Sequence, residues 1–171
     1  METTIPGLET PQLTLKDFKT VARVVDIVDG DTIYVVFKVF DRFYKFNTRI
    51  LGIDTCEKHG ENMRFGLQAK EFSYEFFTGM SGLSRKQVKQ ILEKKESIVT
   101  LECDGFDKYG RLLANVFYKD RSIAEELKSH HLAYSYKGKK KLTMEEQRAL
   151  LGSGETLEPI EISNGNSVLD R

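Results

Sequence analysis

Three short clusters set charged side chains beside turns or strand ends, and together they point to phosphate chemistry. The first is Asp29-Gly30-Asp31-Thr32. Asp-Gly is a strong hairpin signal, which accounts for Asp29 and Gly30 and leaves Asp31 spare. A carboxylate just past such a turn, at the start of a strand, is firmly mounted and can ligate a hard cation. The second cluster is Arg49-Ile50-Leu51-Gly52-Ile53-Asp54-Thr55-Cys56-Glu57. Its apolar centre reads as buried on both faces, so charged neighbours at each end are expensive unless they are used or paired. Asp54 at the strand terminus and Glu57 beyond it can point into one pocket; an N-cap with solvated acids is the plainer alternative. The third cluster is Asp107-Lys108-Tyr109-Gly110-Arg111, a turn leading into a strand. Taken with Arg49, Arg111 supplies a second guanidinium able to hold phosphate oxygens through paired hydrogen bonds. Two acids, a third acid and two arginines are the residue set of phosphodiester hydrolysis: metal ligands, a base for water, and cations for the charge that develops at phosphorus.

The elements that must position these residues follow from the apolar period. Residues 21–28 alternate as a β-branched strand closed by Asp29-Gly30, Ile33 to Val39 is a second strand, and Phe43 to Ile53 a third and longer one. Phe65, Ala69, Phe72 and Phe76 then recur at helical spacing up to Gly79. Ser84 is an N-cap for a short helix carrying Val88, Ile91 and Leu92. Ser97 to Cys103 and Arg111 to Tyr118 are two further strands, and Ile123 to His130 is a helix. Thr143-Met144-Glu145-Glu146 resembles a capping box opening a last helix near Leu151. Strands followed by helices indicate an α+β chain whose five strands can close into a small antiparallel OB-type β-barrel with three to four helices.

The chain has 171 residues, with 26 basic against 26 acidic, 40% apolar and 11% aromatic, which describes one ordinary globular domain. Its prolines all lie outside residues 20–151, so the expected division is an N-terminal extension (1–19), a folded domain (20–151) and a flexible acidic C-terminal tail (152–171). The domain segment holds 23 basic and 19 acidic residues, so the overall zero averages a mildly basic centre with acidic ends. Zero net charge argues against bulk coating of nucleic acid but not against a local basic groove. No window approaches a membrane span and the start lacks the features of a secretory signal, so an intracellular, cytoplasmic protein is expected.

Through V-D-G-D-T at 28–32, R-I-L-G-I-D-T-C-E at 49–57 and D-K-Y-G-R at 107–111, the sequence resembles the staphylococcal nuclease-like (thermonuclease) family, over roughly Thr20 to Leu151. The resemblance implies calcium-dependent hydrolysis of DNA and/or RNA by attack of water, with cleavage of the 5′ P–O bond and 3′-phosphate products. It makes Asp31, Asp54 and the Thr55 carbonyl the Ca2+ ligands, Glu57 the water-orienting group, and Arg49 and Arg111 the side chains that grip the scissile phosphate. Lys108 and Tyr109 fall where the family contacts nucleotide. Tyr134 and Tyr136, beside the lysine run 137–141, have the composition of a single-strand binding rim, the rival reading being tyrosines packed on the barrel. A monomer acting on single-stranded substrates in preference to duplexes is expected, with no membrane partner.

Cys56 departs from the family's usual proline, whose ring would fix the turn that aims Glu57. It reads as a small buried thiol rather than a nucleophile, as does Cys103 in its strand. Residues 78–95 resemble an insertion; Lys86, Lys89, Lys94 and Lys95 read as a solvated helix face before they read as phosphate contacts. The competing functional class is a catalytically silent OB-fold nucleic-acid or protein-interaction module. Retention of Asp31, Arg49, Asp54, Glu57 and Arg111 favours the enzyme, because unneutralised acids beside a polyanion site would repel it.

Overall fold

The computed structural model describes residues 4–152. Five strands, β1 (Lys19–Asp29), β2 (Thr32–Val39), β3 (Arg42–Ile50), β5 (Ser97–Phe106) and β6 (Leu112–Tyr118), run in the order β3-β2-β1-β5-β6. A β3–β6 pairing closes them into a barrel. That closing pair, Thr48 to Ile50 against Leu112 to Ala114, is parallel, so the barrel is mixed where a wholly antiparallel one was expected. Two short strands, β4 (Ile53–Asp54) and β8 (Tyr134–Ser135), form a separate antiparallel pair, and β7 (Arg121–Ser122) folds back to pair antiparallel with the end of β6. The helices are α1 (Met63–Thr78), α2 (Arg85–Lys94), α3 (Ile123–Ser129) and α4 (Met144–Leu151).

Two departures from the strand pattern matter to the site. Alternation along β1 is broken by a register shift between Val24 and Asp26, so Ala22, Val24 and then Ile27 are buried rather than one unbroken parity. The long third strand expected over residues 43–53 ends at Ile50, because Gly52 takes a left-handed φ of 80° that a side chain resists. The chain bends there and re-enters as β4, which places Asp54 back beside Arg49.

The barrel interior is filled by Val24, Ile27, Ile33, Val35, Phe37, Val99, Leu101 and Leu112, all within 1% of fully buried. Helix α1 meets the barrel through Ala69, Ser73 and Phe77, while Phe72 and Phe76 are only half-buried. Small residues on that stripe let the helix lie against the site turns. A Cβ on Gly30 would sit 2.7 Å from Ala69 Cβ, and Ser73 donates its hydroxyl to the Gly30 carbonyl at 3.0 Å. The Asp29-Gly30 turn is therefore present as expected, but its glycine is demanded by the helix above it.

The segment read as an insertion builds α2. Ser84 and Gln87 form a complete capping box at its start. Arg23 of β1 donates to the Leu92 and Glu93 carbonyls at its end, at 3.0 and 2.7 Å. Ten residues are marginal as an isolated helix. Fully burying Val88 and Leu92 against β1 contributes roughly 1.5–3 kcal/mol each, which holds it. Its Lys89 and Arg85 pair with buried Asp26 at 3.2 and 2.6 Å. Ahead of β1, Leu15 is buried and Asp17 N–H donates to the Cys103 carbonyl at 2.9 Å, so the end of the N-terminal extension is laid along β5. The acidic tail expected over 152–171 lies, Gly152 apart, outside the described residues. Among the described residues no helix is long and apolar enough to cross a membrane.

Candidate functional site

Asp31 ends the turn that precedes β2 and is buried with both carboxylate oxygens engaged. Thr55 donates its backbone N–H (2.9 Å) and its hydroxyl (2.8 Å) to Oδ2, and Thr32 donates its hydroxyl to Oδ1 at 2.9 Å. Arg49, directly across the ladder from Thr32, reaches Asp31 with one terminal nitrogen and Asp54 with the other. Burial opposes ionisation of Asp31, but the Arg49 charge and these hydrogen bonds outweigh it and hold the carboxyl below the usual aspartate range. Burial likewise disfavours the charged guanidinium, and the two aspartates reverse that, raising the Arg49 pKa.

Asp54 is 1% exposed. Besides Arg49 it accepts a hydrogen bond from the Tyr134 hydroxyl, and Lys141 Nζ lies 3.2 Å from its Oδ1 and 3.6 Å from Glu57 Oε1. Glu57 itself is mostly exposed and faces the same cleft. Burial works against the Lys141 charge, yet Asp54 and Glu57 raise its pKa. The turn that carries these acids is seated on α1: a Cβ on Gly66 would come within 2.5 Å of both the Cys56 and the Glu57 carbonyl oxygens. Beneath it Cys56, Phe65, Tyr134 and Leu151 make a second small core. Gln147 of α4 ties that core together, accepting from Cys56 Sγ (3.3 Å) and Asn62 Nδ2 (3.0 Å) and donating to the Tyr134 hydroxyl (3.4 Å). Burial, then the charges of Asp54 and Glu57, push the Cys56 thiol up to about 11, so it stays protonated and is no nucleophile.

Arg111 enters from the opposite wall. Asp107 accepts from Arg111 Nε at 2.8 Å and from the backbone N–H groups of Tyr109 and Arg111 at 2.9 Å each, which closes the turn and fixes the guanidinium. The Lys108 ammonium and the Arg111 guanidinium both lie over the Tyr109 ring, at 5.1 and 5.6 Å.

Of the ten residues singled out in the sequence, Asp31, Arg49, Asp54, Thr55, Glu57, Lys108, Tyr109, Arg111 and Tyr136 line one cavity of about 410 Å³. Tyr134 does not. It is 2% exposed, with its ring in the second small core, so the expected base-stacking face is turned inward and its hydroxyl positions Asp54 instead. Tyr136, whose N–H donates to the Gly52 carbonyl at 2.9 Å, is the tyrosine left facing the cleft. Lys141 and Gln147 were missed as individual site residues. Lys141 was visible only as one lysine in a run, and Gln147 has no local signal, since its partners lie up to 91 positions away.

The cavity wall carries Asp29, Asp31, Asp54 and Glu57 against Arg49, Lys58, Lys108, Arg111, Lys139 and Lys141, a balance that receives an anion. A second cavity of about 670 Å³ adjoins it, sharing Arg49, Tyr109, Arg111 and Tyr136 and adding the apolar Leu51, Ile53 and Leu113. Among the described residues no group of three or more His, Cys, Asp and Glu side chains gathers as a metal cluster. Asp31 and Asp54 are the two buried carboxylates that meet at Arg49. Those two fit a hard cation on chemical grounds. Arg49 is the shared partner of both buried carboxylates, so it cannot turn to an anion without leaving them short of positive charge, which an oxygen-loving divalent ion would restore.

A family model described as staphylococcal nuclease homologue matches residues 47–155. The match begins within β3, although the barrel that holds the site begins at Lys19. An uncharacterized protein of Methanocaldococcus jannaschii is 30% identical over 127 residues, which cover 67% of this chain and 56% of that protein. The chain thus spans little more than half the length of that relative. With the closed barrel, the convergent acids and arginines, and a match over well above half its length, the chain belongs to the staphylococcal nuclease homologue family.

Proposed function

We propose that the protein is a calcium-dependent nuclease that hydrolyses phosphodiester bonds of DNA and/or RNA, cleaving the 5′ P–O bond and leaving 3′-phosphates. The observation that carries this reading is the meeting of Asp31, Asp54, Glu57, Arg49 and Arg111, drawn from β3, β4 and the connecting segments at residues 31, 57 and 111, around one cavity of about 410 Å³ with a cationic balance. A silent binding module has no use for two buried carboxylates beside a polyanion.

Asp31, Asp54 and the Thr55 carbonyl would hold calcium, which takes about six to eight oxygen ligands and so leaves most positions to water and substrate. Calcium, when bound, supplies Lewis acidity and positive charge at the scissile phosphate. Glu57, exposed to the cleft, is the group to accept a proton from the attacking water as the new P–O bond forms. Arg111, held by Asp107, donates hydrogen bonds to the phosphoryl oxygens as their charge grows, and Arg49 joins it once the aspartates are otherwise neutralised. Lys108 and Tyr109 flank the strand, while Tyr136 with the apolar floor of Leu51, Ile53 and Leu113 suits a base.

The test is incubation of end-labelled single-stranded DNA and RNA with the full chain in calcium or in chelator. Cleavage in calcium alone, giving 3′-phosphate and 5′-hydroxyl ends, is expected. Cleavage that survives chelator contradicts the mechanism, and tight binding without cleavage in calcium favours the interaction module.

A further inference from the structure

We propose that the groove between α1 and the β6–β7 turn is the docking site of this chain's own acidic segment 155–162, which follows α4. The groove shares no residue with the cleft, so the inference stands apart from the nuclease reading.

Phe65, Phe72 and Phe76 are spaced at i, i+7 and i+11, which puts them on one stripe of α1. The stripe is covered at one end only. Phe65 is 3% exposed, closed over by Leu151 of α4 in the second small core, whereas Phe72 and Phe76 are half-buried. Between those two rings and Tyr118 opens a cavity of about 290 Å³, rimmed by Lys119 and Arg121, with Glu75 the only acid among the described residues lining it. Phe76 meets the Tyr118 ring edge to face at 5.8 Å, and the Arg121 guanidinium lies 5.2 Å from the Phe76 centroid. A pocket walled by rings receives an aliphatic side chain, and the two cations suit an acid beside it. Gln68, between Phe65 and Phe72 on α1, has its Oε1 buried with no hydrogen-bond donor among the described residues. An acceptor left open there fits a backbone N–H of a segment laid along the stripe.

The occupant is identified by where α4 delivers the chain. At the start of α4 the Met144 carbonyl accepts from Asn62 Nδ2 at 2.9 Å, and at its end a Cβ on Gly152 would sit 3.9 Å from Phe65 Cζ. The helix thus climbs α1 from Asn62 to Phe65, and the described residues stop at the foot of the open stripe. Phe65 to Phe76 is eleven residues of α1. At 1.5 Å per residue that is about 17 Å, which an extended chain spans in about five residues. Leu157 and the residues after it are therefore within reach of the cavity from Gly152. The sequence there is Glu155-Thr156-Leu157-Glu158-Pro159-Ile160-Glu161-Ile162, aliphatic side chains interleaved with acids and no base. Its apolar residues match the rings, and its acids match Lys119 and Arg121. Arg121 already pairs with Glu126 at 2.8 Å, but this arginine is mostly exposed, where such a pair holds weakly and can be shared. A segment tethered this closely has an effective concentration of roughly a millimolar, which favours it over a second copy or a separate acidic peptide.

The test uses the full chain carrying E75C/I160C and, as a control for reach alone, E75C/N166C. The native Cys56 and Cys103 are buried and Glu75 is exposed, so the added pair is the one open to oxidation. Disulfide formation in oxidised glutathione is followed on non-reducing gels. An intramolecular bond that forms at least tenfold faster for I160C than for N166C, and that slows to the control rate when R121E or L157S/I162S is added, is the expected result. Equal rates in the two chains, a fast rate that survives both R121E and L157S/I162S, or bonds formed only between chains overturns the docking. Cleavage of a trinucleotide in calcium by the unmodified chain reports separately on the nuclease reading.

Discussion

Tyr134 donates its hydroxyl to the carboxylate of Asp54 across 80 residues of sequence. The ring is sealed among Cys56, Phe65 and Leu151, and Gln147 holds the hydroxyl from the other side. A tyrosine so placed orients a metal-ligand candidate and touches no substrate. Removing groups that orient metal ligands typically costs about 10–100-fold in metal affinity or activity. Tyr134→Phe keeps the ring and is expected to weaken calcium binding and cleavage by about tenfold or more, with the trinucleotide KM little changed. Calcium titration by calorimetry alongside steady-state kinetics checks it.

Lys141 reaches Asp54 and Glu57 at once, and its Nζ must give way when a divalent cation takes Asp54. Because the ammonium is half-exposed, its hold is on the order of 1 kcal/mol, about fivefold in an equilibrium constant. Lys141→Met is therefore expected to tighten calcium binding about fivefold. Calorimetry on the protein without substrate reads this directly.

The closeness of α1 to the acid-bearing turn is a steric prediction. Gly66→Ala would set a methyl within 2.5 Å of two backbone carbonyl oxygens, which neither a rotamer change nor a side-chain shift relieves. Destabilisation of about 1–3 kcal/mol is expected, as for overpacking elsewhere. The same displacement moves Glu57, so kcat falls in the variant even at temperatures where urea titration shows it fully folded.

Asp26 gives a pH signature away from the site. Burial opposes its ionisation, but hydrogen bonds from Arg85 and Lys89 prevail, so its pKa is lowered on folding. A carboxyl with a depressed folded pKa stabilises above its unfolded value of about 3.9, and that stability is lost as pH falls through the folded value. Asp26→Asn retains the bond from Ile27 N–H to Oδ1. With half-exposed partners, it is expected to lose on the order of 1 kcal/mol at pH 7, and the gap from wild type should close below about pH 4. Urea unfolding at the two pH values checks the sign.

What could be read along the chain was what neighbours in sequence decide. Ser84 with Gln87 and Thr143 with Glu146 cap their helices with their own side chains, and both capping boxes are complete. The five core charged residues announced themselves by sitting at turns and strand ends. What was hidden depends on chain closure. The left-handed Gly52 ends the third strand after Ile50, and β8 pairs with its continuation. The inward turn of Tyr134 and the ties made by Gln147 exist only once α4 folds back over the acid turn. A period-two pattern cannot show that the lysine run would send Lys141, rather than its neighbours, onto Asp54 and Glu57.

The most direct measurement is the single-turnover rate of cleavage of a 5′-labelled single-stranded oligonucleotide in saturating calcium, for the wild type and for Glu57→Gln and Arg111→Ala. Glu57 and Arg111 are exposed or half-exposed, so both variants should remain folded. Losing a base or a transition-state cation costs about 10²–10⁴-fold. Calcium-dependent cleavage in the wild type that falls at least a hundredfold in each variant, with oligonucleotide binding retained, is the predicted result. Cleavage at wild-type rates in either variant, or none in folded, calcium-loaded wild type, contradicts the account.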